Sequence, residues 1–159
     1  SMANTDGLTG LHNERYFNAL LKEKARKREP FALFYLDLDQ FKPVNDTYGH
    51  DVGDQLLKEV ANRLRGCVRE SDYAFRIGGD EFALIINGSM TEHFCENRTE
   101  KIKNAIREPY RLKDAAVQVG TSCGCAIYPG DSDDVRAIRI LADHRMYQDK
   151  QRSSRSCER

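Results

Sequence analysis

Five aspartates but only one basic residue, Lys42, lie between Asp37 and Asp54. Asp37 and Asp39 sit two apart at the end of Phe31–Leu38, an unbroken apolar and aromatic run that reads as a strand covered on both faces. Side chains alternate along a strand, so both carboxylates point to one face, where the end of a sheet opens into a cleft. Asp80 and Glu81 add two more in a glycine-led turn. Crowded carboxylates repel, and a cation relieves the repulsion. Oxygen donors without His or Cys suit Mg2+, with Mn2+ as the other choice. Mg2+ held by two carboxylates completes its shell with water and phosphate oxygens. Two readings stay open: metal-dependent phosphoryl or nucleotidyl transfer, and an inert acidic rim.

The elements that must position these groups follow from periodicity. Phe17, Leu20, Leu21 and Ala25 recur at helical spacing, which predicts a helix over 13–28, ended before Pro30. Lys22, Lys24, Arg26, Lys27 and Arg28 form its polar side, a solvated face rather than a binding patch. Leu56, Leu57, Val60, Ala61 and Leu64 predict a second helix starting near Asp54. Tyr73–Ile77 and Phe82–Ile86 read as a hairpin closed by the four-residue turn Gly78-Gly79-Asp80-Glu81. A third helix is expected over Thr91–Arg107, and a strand over Val117–Ile127 after a turn near Lys113-Asp114. Val135, Ile138, Leu141, Ala142 and Met146 predict a last helix capped by Asp133 or Asp134. This irregular alternation implies an α+β sheet with helices over it, in one domain.

Composition bounds the class. The chain has 159 residues, 40% hydrophobic and 31% charged, as in one ordinary globular domain. Its 25 basic and 25 acidic side chains cancel, which argues against a nucleic-acid polymer or an anionic membrane as partner. Five cysteines without a CxxC pair suggest a reduced, cytoplasmic setting. Cys123 and Cys125 should face one side of a strand as buried structural thiols, with redox or metal binding as the alternative. Residues 1–5 are read as a tag remnant and leader, and residues 151–159 as a polar, disordered tail.

One set of motifs resembles a known family. Arg76-Ile77-Gly78-Gly79-Asp80-Glu81-Phe82 contains GGDEF intact, and the chain resembles the GGDEF domain of diguanylate cyclases. Upstream, Asp37-Leu38-Asp39-Gln40-Phe41-Lys42 leads into Asn45-Asp46, Gly49-His50 and Gly53-Asp54, similar to the family's DxDxFKxxND…GH…GD. Asp6 to Asn13 resembles the DxLTGLxN opening. Ser122-Cys123-Gly124 and Ala142-Asp143…Met146-Tyr147…Lys150 resemble its closing segments, so the likeness covers residues 6–150.

The resemblance implies a palm-like, mostly antiparallel central sheet flanked by helices, as in nucleotide cyclases, with GGDEF on a β-hairpin. It implies condensation of two GTP into cyclic di-GMP plus pyrophosphate by a homodimer of facing domains. By position, Asp37, Asp80, Glu81 and the Leu38 carbonyl would hold Mg2+; Asp80 would accept a proton and Lys42 would neutralise phosphate charge. Gly78 and Gly79 would let the nucleotide approach the backbone, and Asn45 and Asp54 would read guanine. A helix cap is the other role open to Asp54. His50 would line the pocket, and Lys150 would reach the terminal phosphates.

Arg69-Glu70-Ser71-Asp72 matches the family's RxxD site for inhibition by product, with Lys101 where a second arginine is common and Arg98 nearby. A sensor or regulatory domain is expected in the full-length chain, with membrane attachment through another segment as an alternative to a wholly cytoplasmic protein. Glu14, His144-Arg145 and the residues after Lys150 depart from the family pattern, the last at the place of the family's second phosphate contact, which stays open. The rival implied by the same family is an idle domain that binds GTP or cyclic di-GMP as a receptor.

Overall fold

The computed structural model describes residues 2–158, without the side chains of Met2 and 155–158. Its centre is β1 (Phe31–Asp39), flanked by β3 (Glu81–Asn87) and β6 (Gly120–Tyr128), with β2 (Tyr73–Gly78) outside β3. The order is β2-β3-β1-β6 and every pairing is antiparallel. Ala32, Phe34, Leu36 and Leu38 join one core cluster, with apolar residues of α3 (His50–Arg65) and α4 (Glu92–Arg107). Phe31, Leu33 and Tyr35 join the other, with residues of α1 (Glu14–Lys27) and α5 (Val135–Glu158). Burial on both faces is why the β1 sequence is apolar without alternation. Asp37 and Asp39 continue the odd-numbered series and so emerge on the α5 side. The expected α+β, mostly antiparallel sheet flanked by helices is the one observed.

Several expectations shift. An additional helix, α2 (Phe41–Tyr48), precedes α3, and Gly49 separates the two at φ 91°. Asp54 therefore lies inside α3 and caps nothing. The predicted four-residue turn tightens to Gly79-Asp80, because β2 runs to Gly78 and β3 starts at Glu81. Gly79 takes φ 46°, which a residue with a side chain adopts at a cost. The strand expected over Val117–Ile127 starts at Gly120 as β6, and Val117 instead ends a small hairpin of β4 (Tyr110–Leu112) and β5 (Ala115–Val117). Lys24 is not on a solvated face: it is 5% exposed and bonded to Asn87.

Both ends belong to the domain. Asn13 donates from its backbone to Asn4 and from its side chain to Ala3, docking part of the expected leader. The backbone of 151–158 continues α5 rather than forming a loose tail. Asp134, not Asp133, meets the start of α5, accepting from Arg136 N–H at 2.9 Å.

The outer edge of β6 is closed by side chains instead of another strand. Asp149 accepts from Cys123 N–H (2.9 Å), Arg145 donates to the Cys125 carbonyl (2.7 Å), and Asp131 accepts from Ile127 N–H (2.8 Å). Such caps keep an edge from recruiting other chains. Cys123 and Cys125 do face one side, lining a cavity of about 480 Å3 with Cys95, and all three are free thiols.

The closest packing is between α5 and β6 at Gly124. A Cβ there would lie 2.2 Å from Ala142 O and 2.3 Å from Met146 N, so the helix backbone would have to retreat. Gly124→Ala should destabilise the fold by about 2–4 kcal/mol, more than an ordinary surface change. Urea denaturation checks this through a lowered midpoint.

Candidate active site

The C-terminal end of β1 meets the β2–β3 turn. Leu38 N–H donates to the Asp80 carbonyl at 3.1 Å, fixing the turn against the strand. Asp37 pairs in register with Glu81 on one side and Ser122 on the other. Asp37, Asp39, Asp80 and Glu81 are thus gathered as expected. The Leu38 side chain is buried in the core at 2% exposure, while its carbonyl oxygen lies 3.4 Å from Lys150 Nζ.

The electrostatics follow from the crowding. Burial and the neighbouring Asp37 carboxylate push the Asp80 pKa up. Burial and Asp37 push Glu81 up as well, against a hydrogen bond from Tyr35. Tyr35 itself is pushed up to about 12, first by burial and then by Glu81. Lys150 supplies the compensating charge, with Nζ 3.1 Å from Asp37 Oδ2 and 3.5 Å from Asp39 Oδ1. Burial opposes its ammonium, but the two carboxylates outweigh this and hold its pKa above the usual value.

A metal fits these residues. Asp37 Oδ1 is buried without a hydrogen-bond partner, and an anionic oxygen left so is costly unless a cation takes it. No three His, Cys, Asp or Glu side chains among the described residues close into a cage. An open set of two carboxylates and the Leu38 carbonyl is what Mg2+ uses when water and phosphate complete its shell.

The residues expected to contact the nucleotide lie on α2 and α3, which follow β1 directly. Lys42 is exposed in the first turn of α2, directly after β1. The α2 N-terminus has no side-chain cap, a feature that sequence reasoning missed. The Asn45 side chain lies against Gly53, where an added Cβ would fall 1.7 Å from Asn45 Oδ1. Only glycine leaves room there, and it sets Asn45 beside exposed Asp54. Asn45 Oδ1 is also buried without a partner. His50 is exposed at the start of α3, and Gly78 and Gly79 are exposed at the turn.

Two positioning residues were not visible in the sequence. Arg76 donates to the Gly79 carbonyl (3.0 Å) and to Asp6 (3.2 Å), whose Oδ2 also takes Thr9 N–H and Oγ. The N-terminal motif is thereby tied to the GGDEF turn. Asp149 bonds Lys103 (2.7 Å) and Cys123 N–H (2.9 Å), anchoring α5 beside Lys150. Their roles lie in contacts to backbone and to other elements, which no local spacing signals.

The RxxD segment is more structural than expected. Asp72 accepts four hydrogen bonds: from Arg69 N, Nε and Nη2 and from Asn87 N, all at 2.9–3.0 Å. Its carboxylate has no free direction for guanine in this state. Arg69 remains 61% exposed beside a cavity of about 270 Å3 that Arg65 also lines. Lys101 is exposed and no residue of α4 lines that cavity. Arg98, one turn earlier, instead donates to the Cys67 carbonyl at 2.9 Å. Arg98 is therefore the basic side chain of α4 with a described contact to the segment leading into the RxxD loop.

The chain matches the family described as "Diguanylate cyclase, GGDEF domain" over residues 3–156. It belongs to that family. It is 40% identical over 149 residues to the bifunctional diguanylate cyclase/cyclic di-GMP phosphodiesterase MucR of Pseudomonas aeruginosa, covering 91% of this chain and 22% of that protein. It is 38% identical to diguanylate cyclase DgcS of Shewanella oneidensis, covering 96% of this chain and 51% of that one. The solved GGDEF domain of TpbB from Pseudomonas aeruginosa superposes with a TM-score of 0.85 at 35% identity, covering 93% and 89% of the two chains. The GGDEF chain thus spans from about a fifth to half the length of these curated relatives.

Asp72 gives a pH signature. Burial raises its pKa, but the bonds from Arg69 and Asn87 outweigh this and leave it below the usual carboxylate value. A lowered folded-state pKa stabilises above the unfolded value near 3.8 and is lost as pH falls through the folded one. Asp72→Ala should therefore cost about 1–3 kcal/mol at pH 7, with the gap in thermal midpoint narrowing below pH 4.

Proposed function

We propose that this domain is a diguanylate cyclase: two copies, each holding one GTP, face one another and form cyclic di-GMP with release of pyrophosphate. The observation that carries the reading is the orphaned, buried Asp37 Oδ1 beside Asp80 in an otherwise complete GGDEF site. When bound there, Mg2+ would neutralise the α-phosphate and acidify the attacking hydroxyl. Asp37, Asp80, Glu81 and the Leu38 carbonyl are the groups that would hold it.

The remaining chemistry belongs to the chain. Lys42 neutralises phosphate charge. Asn45 and Asp54 read the base, Asp54 accepting from the N1–H and 2-amino donors of guanine. Adenine offers no such pair, so ATP would leave that carboxylate unmatched at a cost of about 1–3 kcal/mol. His50 flanks the pocket, while Gly78 and Gly79 keep the turn open to the nucleotide. Asp80 takes the 3′-hydroxyl proton. Lys150 moves to the terminal phosphates. One domain supplies half of the reacting pair, so turnover should rise steeply with protein concentration.

Product inhibition is proposed at Arg69, with Arg98 or Arg65 as the second guanidinium. Asp72 is proposed to act chiefly by holding Arg69 in place. Among the described residues no helix is long and apolar enough to cross a membrane.

The test is turnover of GTP with Mg2+ across a range of protein concentrations. The expected outcome is cyclic di-GMP, abolished by Asp80→Ala. GTP bound without product even at high concentration would instead mark a receptor domain. In the same assay Arg69→Ala should lose inhibition by product and Arg98→Ala should weaken it at least severalfold, whereas Lys101→Ala should leave it unchanged.

A further inference from the structure

The Lys150 ammonium lies 3.1 Å from Asp37 Oδ2, 3.4 Å from the Leu38 carbonyl oxygen and 3.5 Å from Asp39 Oδ1. The first two residues supply donors assigned above to the metal. A lysine ammonium and a divalent cation cannot both occupy that space, because like charges so close repel by several kcal/mol at the effective dielectric of a protein surface. Among the described ion pairs Lys150 is the only basic partner of Asp37 and of Asp39.

From this geometry we infer that Lys150 is the resident counter-ion of the nucleotide-free site, and that it gives up the Asp37 and Leu38 oxygens when metal and nucleotide enter together. The inference rests on the cyclase reading in one respect: the nucleotide's phosphates are the alternative partner for the ammonium. Metal affinity is then low without nucleotide, and nucleotide raises it by freeing the donors. Linkage makes the effect reciprocal, so metal raises nucleotide affinity by the same factor.

The fold allows this exchange without moving a helix. The α5 backbone is pinned by the Gly124 contact and by Asp149, whereas the Lys150 side chain is 39% exposed on a flexible four-carbon stem. Asp39 keeps the Ser122 hydroxyl at 2.7 Å when the ammonium leaves. Asp37 keeps nothing comparable and depends on receiving another cation. The exchange therefore passes one carboxylate from one positive partner to another, and the nucleotide phosphates take the partner that was displaced.

Binding of Mn2+ to nucleotide-free protein, followed by electron paramagnetic resonance of the free ion, tests this without turnover. Lys150→Met should bind Mn2+ at least about tenfold more tightly than the wild type, about 1.4 kcal/mol. Asp37→Asn should weaken Mn2+ binding in both backgrounds and abolish the gain given by Lys150→Met. A non-hydrolysable GTP analogue should strengthen Mn2+ binding to the wild type by a larger factor than to Lys150→Met. Lys150→Gln, which retains a polar head, repeats the test should the methionine variant fold poorly. Mn2+ binding by the folded variants no tighter than wild type overturns the inference, even if the protein makes cyclic di-GMP. A protein that shows the Mn2+ gain but forms no product overturns the cyclase reading and retains the exchange.

Discussion

Repulsion among carboxylates at one end of β1 is the constraint from which much of this structure follows. Asp37, Asp39, Asp80 and Glu81 are brought together by two antiparallel registers that the hydrophobic core enforces, since slipping β1 by one residue would turn Phe34 and Leu36 onto the opposite face. The sheet cannot relax the crowding, so a cation must meet it. In the ligand-free chain that cation is Lys150, carried by a helix whose position depends on a missing side chain at Gly124 and on Asp149 gripping the β6 edge. A contact within the sheet-edge packing thus becomes a condition for the active site.

The sequence disclosed the parts in proportion to how strongly burial patterned them. β1 is apolar from Phe31 to Leu36 because both faces are covered, and the GGDEF turn opens on two glycines, so both were legible. α2 was not, because Val44 is its sole fully buried residue and Pro43 looks like a breaker although the first helical turn tolerates it. The end of α5 was missed for a related reason: its polar residues carry no apolar period, and the helix persists by continuing one already packed. Which α4 side chain meets the segment leading into the RxxD loop depends on how that helix is rotated, and Arg98 makes the described contact. Arg76 and Asp149 act through backbone groups of other elements, and such contacts leave no periodic trace.

The RxxD segment illustrates how one carboxylate can serve structure and still support binding. Asp72 closes a turn on Arg69 N–H and stitches it to Asn87 N–H near the end of β3, which orients the Arg69 guanidinium outward. Four strong acceptor contacts leave Asp72 little to offer a ligand, and trading any of them would expose a buried, charged oxygen. The Arg69 guanidinium in turn spends Nε and Nη2 on Asp72 and the Asn87 carbonyl, so although the side chain is exposed, Nη1 is the part of it without a described partner.

Zero net charge takes on a different sense in this light. Averaged over the chain it argues against long polyanions, yet it conceals an acidic end of β1 that Lys150 faces and that Lys42 and the start of α2 directly follow. A nucleoside triphosphate carrying its own divalent cation matches the carboxylates and the lysines at once, whereas the bare anion or the bare cation matches one set and offends the other. Discrimination against either component alone is therefore a consequence of how the charges are arranged. The same juxtaposition lets Lys150 hold the site together in the absence of ligand, because the side chain that suits phosphate is already within reach of the carboxylates that suit the metal.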